Sequence, residues 1–271
     1  MIYPFYIDLH PLLWGTEVWM LPPAEIAEAF PLLIKFIDPH QDLSIQVHPD
    51  DAYAQAHGLP RGKTEMWFVT DATPDAHLYS GLKDQLTPEQ YARKVEDGTI
   101  ADALRRYNPR RGDCFFLPAG RIHALGSGAQ VCEVQQKSNT TYRIFDYNRR
   151  DAQGNLRELH TQQAADCIDY TVLPDYQTHY QPVLNQPMEL VSCAYFTTRL
   201  LDVDGTISRT LREGGPQTVF IIMSGEASLR CDQAEAVHLN AHDVVAVEAD
   251  EVQLTGRFQA LEVTGYKPLS A

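Results

Sequence analysis

Cysteine is sparse in this chain of 271 residues, and basic charge is scarcer than acidic. The cysteines, Cys114, Cys132, Cys167, Cys193 and Cys231, are widely spaced and form no CxxC pair. That argues against a disulfide framework or a thiolate metal knuckle and fits free thiols in a reducing cytoplasm. Lys and Arg number 22 against 36 Asp and Glu, a formal net charge of −14. Without a basic footprint, neither nucleic acid nor an anionic membrane surface is an expected partner. A small anionic substrate answers to local charge and stays compatible. No apolar run approaches the roughly 20 residues of a membrane helix. The opening MIYPFYIDLH lacks a basic start and an apolar h-region, so no signal peptide is expected. Low-complexity tracts and short-period repeats are also missing.

What is present is β-forming text with an apolar fraction of 44%, enough to bury a sizeable core and to exclude disorder for most of the chain. The length fits about two domains or one large β domain. LLIKFID (32–38), LSIQVH (43–48), EMWFVT (65–70), AHLYSG (76–81), DCFFLP (113–118), VCEVQQ (131–136) and TYRIFDY (141–147) read as strands. PPAEIAEAF (22–30) can form one short helix with prolines at its start. A helical insert is expected near 87–107: Thr87-Pro88-Glu89-Gln90 is a capping box, and a second helix should run from Thr99 to about Tyr107. Thr161 can cap a helix over 162–168. Pro174, Pro182 and Pro187 make 171–190 an extended connector. From 191 onward strands recur about every ten residues, the pattern of a sandwich or barrel.

The chemistry concentrates in the first half. Gln46 and His48 share one strand face, while Ile45 and Val47 point to the other. Glu65 opens the next long strand, and His123 closes the segment Gly112–His123. Two imidazoles, a carboxylate and an amide oxygen make an N/O site that suits zinc, with manganese, iron, cobalt or nickel left open. Any one of the ten histidines would more often be a surface or hydrogen-bonded residue; the combination carries the case. Arg105, Arg106, Arg110 and Arg111 crowd one stretch and read as a solvated helix end.

The segment G-x5-P-x-G-x2-H at Gly112–His123 looks like the second cupin motif. SIQVHPDD (44–51), GKTEMWFV (62–69), FFLPAGRIHALGSG (115–128) and EVQQKSNTTYRIFDYNR (133–149) resemble the short bacterial form of the type 1 mannose-6-phosphate isomerases. The resemblance implies zinc ligands at Gln46, His48, Glu65 and His123, an active-site arginine at Arg143 and an active-site lysine at Lys63. Lys63 would serve as a base if burial near a cation lowers its pKa; otherwise it steadies Glu65. Arg143 would meet phosphate or enediolate charge, unless it is a structural partner of Asp146. The segment Leu13–Phe30 compresses a stretch that is longer in relatives.

The expected fold is mostly β, with two cupin-type (jelly-roll) modules: 1–170 binding the metal, a connector at 171–190, and a metal-free module at 191–271. The expected activity is zinc-dependent interconversion of mannose 6-phosphate and fructose 6-phosphate in the cytoplasm, with one Zn2+ per chain. The alternatives are a cupin oxygenase and a non-catalytic metal- or sugar-binding protein.

Overall fold

Alternating apolar residues become strands throughout, because a pleated strand with one buried face needs that period. The computed structural model describes residues 1–151, 153–211, 217–231 and 235–265. The chain divides into two compact units, one of Leu9–Trp19 and Leu32–Gln177, the other of Met1–Asp8, Met20–Pro31 and Thr178–Ala271.

The first unit carries two antiparallel sheets. A five-stranded sheet runs in the order Tyr142–Phe145, Ile45–Val47, His123–Leu125, Leu78–Leu82, Leu104–Tyr107. A seven-stranded sheet runs in the order Gln177–Thr178, Cys114–Leu117, Glu65–Ala72, Ala129–Gln136, Leu32–Pro39, Gly15–Leu21, Tyr6–Leu12. One apolar cluster holds Leu78 and Leu125 from the smaller sheet with Trp67, Val69, Phe115 and Val131 from the larger. A second cluster covers the other face of the smaller sheet, where Ile45, Val47, Tyr142 and Ile144 meet Tyr91, Ile100 and Ala164 from the helical segments. Each such side chain contributes about 1.5–3 kcal/mol when fully buried. The alternation then leaves Gln46, His48 and Arg143 to face away from the helices.

The mostly β expectation holds, and Pro88–Glu96 forms the insert helix with its Thr87/Gln90 capping box closed in both directions. Three local expectations need correcting. The second insert helix is only a 3-10 turn, Ile100–Ala103; Leu104–Tyr107 is instead a strand beside Leu78–Leu82. Ladder pairing with an existing sheet edge outcompetes helical propensity there. Arg106, Arg110 and Arg111 are exposed, on that strand and the loop after it rather than at a helix end. The helix Thr161–Cys167 is preceded by His160, which makes no side-chain capping bond.

The second unit is built on one sheet, in the order Ile2–Pro4, Val244–Val247, Thr218–Cys231, Glu251–Thr264, Thr197–Thr210, Pro187–Ser192, with Val237–Asn240 added to the Thr218–Cys231 strand. Its strands merge segments that read separately in sequence: FIIMSG and EASLRC lie on one strand that carries a register shift between Ile222 and Ser224. Among the described residues no helix is long and apolar enough to cross a membrane.

Candidate metal centre and active site

His48, Glu65 and His123 come together from three separated segments, with one ligand atom of each lying within 4.8 Å of the others. All three side chains are buried. His48 follows the strand Ile45–Val47, Glu65 opens its strand on the facing sheet, and His123 pairs directly with Gln46 in the ladder. The turn before His123 depends on Gly120, whose φ of +86° is the left-handed conformation that a side chain resists. A Cβ there would also come within 3.0 Å of the Cys167 carbonyl. The Gly120 N–H donates to the His48 carbonyl at 2.9 Å, tying the two histidine segments together.

Each imidazole is fixed through Nδ1. His48 Nδ1 lies 2.9 Å from the Thr140 carbonyl, and His123 Nδ1 lies 2.8 Å from the Arg121 carbonyl. A carbonyl only accepts, so both Nδ1 atoms carry the proton and both Nε2 atoms present lone pairs, the usual arrangement behind a metal-binding histidine. Those lone pairs point at Glu65: Oε2 is 3.6 Å from His48 Nε2, and Oε1 is 3.2 Å from His123 Nε2. Neither buried oxygen of Glu65 accepts a hydrogen bond of standard geometry. A buried carboxylate with no hydrogen bond of standard geometry, beside two imidazole lone pairs, fits a divalent cation. Gln46 reaches the same place, its amide nitrogen 3.4 Å from His123 Nε2. A half-turn of that carboxamide exchanges nitrogen for oxygen and offers a fourth donor.

Lys63 enters from the rim. Its Nζ is 2.8 Å from Glu65 Oε2 and 3.2 Å from His48 Nε2. Burial works against its charge, but Glu65, Glu133 and Glu17 outweigh burial and hold the ammonium above its ordinary pKa. The surrounding carboxylates thus favour the charged, proton-donating form of Lys63, while the lowered value expected from sequence is tied to a neighbouring cation. Burial keeps His48 neutral, with the Lys63 charge adding to the effect, and its pKa falls well below the usual imidazole value. Glu65 goes well below the carboxylate range, chiefly because the Lys63 charge outweighs the cost of burying it.

A cavity of about 360 Å³ opens onto this cluster through Gln46 and Lys63 and is also lined by Trp67 and Arg143. That is within the range of small-molecule sites. Arg143 is half-buried on the wall, donates Nη1 to the Glu158 carbonyl at 2.8 Å, and makes no ion pair with Asp146. Asp146 is held by Arg149 and Arg157 instead.

Several lining residues escaped the sequence reading. Lys35 is buried between Glu17 at 3.3 Å and Glu133 at 3.4 Å, and Trp67 Nε1 donates to Glu133 Oε2 at 2.7 Å. Glu133 stands opposite both Lys35 and Trp67 in the ladders of its strand. A lone lysine inside LLIKFID and a lone glutamate inside VCEVQQ were the available signals, since an apolar strand rarely buries an unpaired charge. Glu17 and Trp19 come from the compressed segment WGTEVWML, which supplies one wall of the cavity.

The chain is similar in sequence and in fold to known proteins. The chain is 37% identical over 205 residues to mannose-6-phosphate isomerase ManA of Bacillus subtilis, covering 74% of this chain and 64% of that protein. It is 32% identical over 206 residues to the mannose-6-phosphate isomerase of Streptococcus mutans, covering 75% of this chain and 64% of that protein. The resemblance is to mannose-6-phosphate isomerases. The chain thus spans a little under two thirds of the length of these relatives. No protein-family model matches it. Among solved structures, the mannose 6-phosphate isomerase of Bacillus subtilis superposes with a TM-score of 0.81 at 23% identity, covering 97% of this chain and 99% of that one. A mannose 6-phosphate isomerase solved with zinc bound gives a TM-score of 0.76 at 14% identity, covering 98% and 99%. These two establish the shared fold, and the resemblance read from the motifs is borne out.

Proposed function

We infer that the chain is a zinc-dependent aldose–ketose isomerase that interconverts mannose 6-phosphate and fructose 6-phosphate through an enediol, acting in the cytoplasm. The observation that carries this reading is the buried Glu65 carboxylate, left without a standard hydrogen bond between two imidazole lone pairs and beside Gln46 and Lys63, which line a substrate-sized cavity. The relatives' names add the reaction.

Gln46, His48, Glu65 and His123 are the residues that would hold the metal. Bound there, zinc supplies Lewis acidity toward the substrate's carbonyl and hydroxyl oxygens. The remaining work belongs to the chain. Lys63 holds a proton at Nζ beside the ligand cluster and offers an N–H to the oxygen on which negative charge develops. Arg143 presents a permanent charge from the wall of the same cavity. Trp67, buried and fixed by its bond to Glu133, makes an apolar floor that limits water. The paired Lys35, Glu17 and Glu133 place donors and acceptors where sugar hydroxyls would lie.

A coupled assay of fructose 6-phosphate formation, run with and without chelator, tests the reading. Metal-dependent turnover is expected. An oxygenase would consume O2 instead, and a non-catalytic binder would retain metal without turnover.

A further inference from the structure

We propose that Gln136 and Asp51 form a clamp that positions Lys63 on Glu65, and that turnover depends on this clamp although neither side chain touches the reacting atoms. The reaction rests on the isomerase reading; the clamp does not.

The backbone at Lys63 has no regular pairing of its own. Residues 61–64 belong to neither strand nor helix. The ladder with the strand Ala129–Gln136 reaches only as far as Glu65, opposite Gln135. The Lys63 ammonium nevertheless sits 2.8 Å from Glu65 Oε2 and 3.2 Å from His48 Nε2. Strand pairing alone does not hold that loop.

Side chains supply the missing bonds. Gln136 Oε1 accepts the Thr64 N–H at 2.8 Å, while the Gln136 N–H donates to the Thr64 carbonyl at 3.0 Å. The carboxamide oxygen thus stands in for a backbone carbonyl and extends the pairing by one residue. On the other side of Lys63, the Gly62 N–H donates to Asp51 Oδ1 at 2.7 Å. Gln136 Nε2 donates to the same carboxylate, at 3.2 Å and 3.4 Å, and closes the clamp. The Lys63 N–H itself donates to the Pro49 carbonyl at 2.9 Å, next to His48 in the chain.

Burial makes these bonds matter. Gln136 and Thr64 are each 4% exposed, so water does not replace a lost acceptor without the loop moving. An apolar side chain would fill the place of Gln136 at lower cost, and the carboxamide is used there for both its donor and its acceptor. Gly62 lies against the start of the helix Asp51–Ala56, where a Cβ would come within 2.5 Å of the Asp50 carbonyl carbon. Lys63 therefore hangs from a backbone fixed on both sides. A misplacement of about 1 Å at a reacting group can cost a hundredfold in rate.

Kinetics, metal analysis and lysine modification on the metal-loaded protein test the clamp. Gln136→Met keeps the volume and removes both hydrogen-bonding groups. It should lower kcat roughly tenfold to a hundredfold, with KM within about threefold and metal content at the wild-type level. Reductive methylation read by mass spectrometry should spare Lys63 in the wild type and modify it severalfold faster in Gln136→Met. In a Lys63→Met background, Gln136→Met should lower kcat no further, because the clamp acts through Lys63. Gln136→Glu combined with Asp51→Asn exchanges donor and acceptor across the contact and should recover most of the loss. Asp51→Ala, at an exposed position, should show the same pattern more weakly, and it decides the matter if Gln136→Met does not fold. A folded variant with unchanged kcat beside an active wild type, with unchanged Lys63 protection, or with the same fractional loss of kcat whether or not Lys63 is present, overturns the proposal. Altered Lys63 protection in a protein whose wild type shows no turnover would keep the clamp and remove the isomerase reading instead.

Discussion

Arg143 stands opposite Gln46 in the ladder between Tyr142–Phe145 and Ile45–Val47, and both residues line one cavity. Opposed residues in a ladder have Cβ atoms about 4.5–5.5 Å apart. The base of the Arg143 side chain is therefore fixed one cross-strand spacing from that of a proposed metal ligand. That spacing is set by backbone pairing, so it does not depend on a mobile loop.

A lysine at this position should preserve metal content and lose turnover. Arg143→Lys keeps the charge but not the planar fork, and loss of one oriented donor typically costs about 3 kcal/mol, on the order of a hundredfold in kcat. Kinetics and elemental analysis on the same sample check this. A rise confined to KM would assign Arg143 to substrate anchoring alone. A purely structural role through Asp146 already conflicts with the geometry, because Asp146 is taken by Arg149 and Arg157.

His48→Ala and His123→Ala should each abolish metal binding and activity while the protein stays folded. The apolar clusters of both units are independent of the ligand atoms, unlike a small zinc domain that folds only with its metal. Elemental analysis should find about one metal per wild-type chain and none in the variants. Circular dichroism should show an unchanged β spectrum.

Lys35→Met should destabilise the chain by roughly 3 kcal/mol, because it leaves the buried Glu133 and the partly buried Glu17 charged without their shared cation. Thermal melting should register a fall of about 6 to 12 °C. Adding Glu133→Gln to that variant should recover part of the loss, since it removes one of the stranded charges.

Acid should act through Asp146. Burial opposes its charge, but the hydrogen bonds from Arg157 and Arg149 hold its pKa below the ordinary 3.8. A carboxyl depressed on folding stabilises above its unfolded pKa, and that stabilisation is lost as pH falls through the folded value. Asp146→Asn should therefore melt lower than wild type at pH 7, and the gap should narrow as pH falls below about 4. A gap that stays constant across that range would show that the ion pairs contribute nothing to stability.

Much of this site was legible because strand alternation is a strict rule. Ile45, Val47, Tyr142 and Ile144 turned to one face, so Gln46, His48 and Arg143 had to share the other. Capping chemistry located the insert helix for the same local reason. What stayed hidden was non-local. Lys35 looked like an anomaly in an apolar strand until Glu133 and Glu17 were brought beside it from distant segments. Arg157 could not be placed because its orientation depends on Asp146 across a loop. Leu104–Tyr107 read as helix because its pairing with Leu78–Leu82 is long-range. The helix Asp51–Ala56, capped by Asp50 through the Tyr53 N–H, went unread although Asp-Asp after a proline is a start signal. The first module was expected over 1–170, whereas Met1–Asp8 and Met20–Pro31 cluster with Thr178–Ala271, a grouping fixed by contacts such as Ile2–Pro4 against Val244–Val247.

The central claim is that a metal held at His48, Glu65 and His123 turns this cavity into a sugar-phosphate isomerase site. The most direct measurement is fructose 6-phosphate formation from mannose 6-phosphate by the purified chain, before chelation, after chelation and after zinc is restored. The account predicts turnover that disappears with the metal and returns with about one equivalent of zinc. Turnover that persists in metal-free protein, or a zinc-loaded protein with no turnover at all, would contradict it.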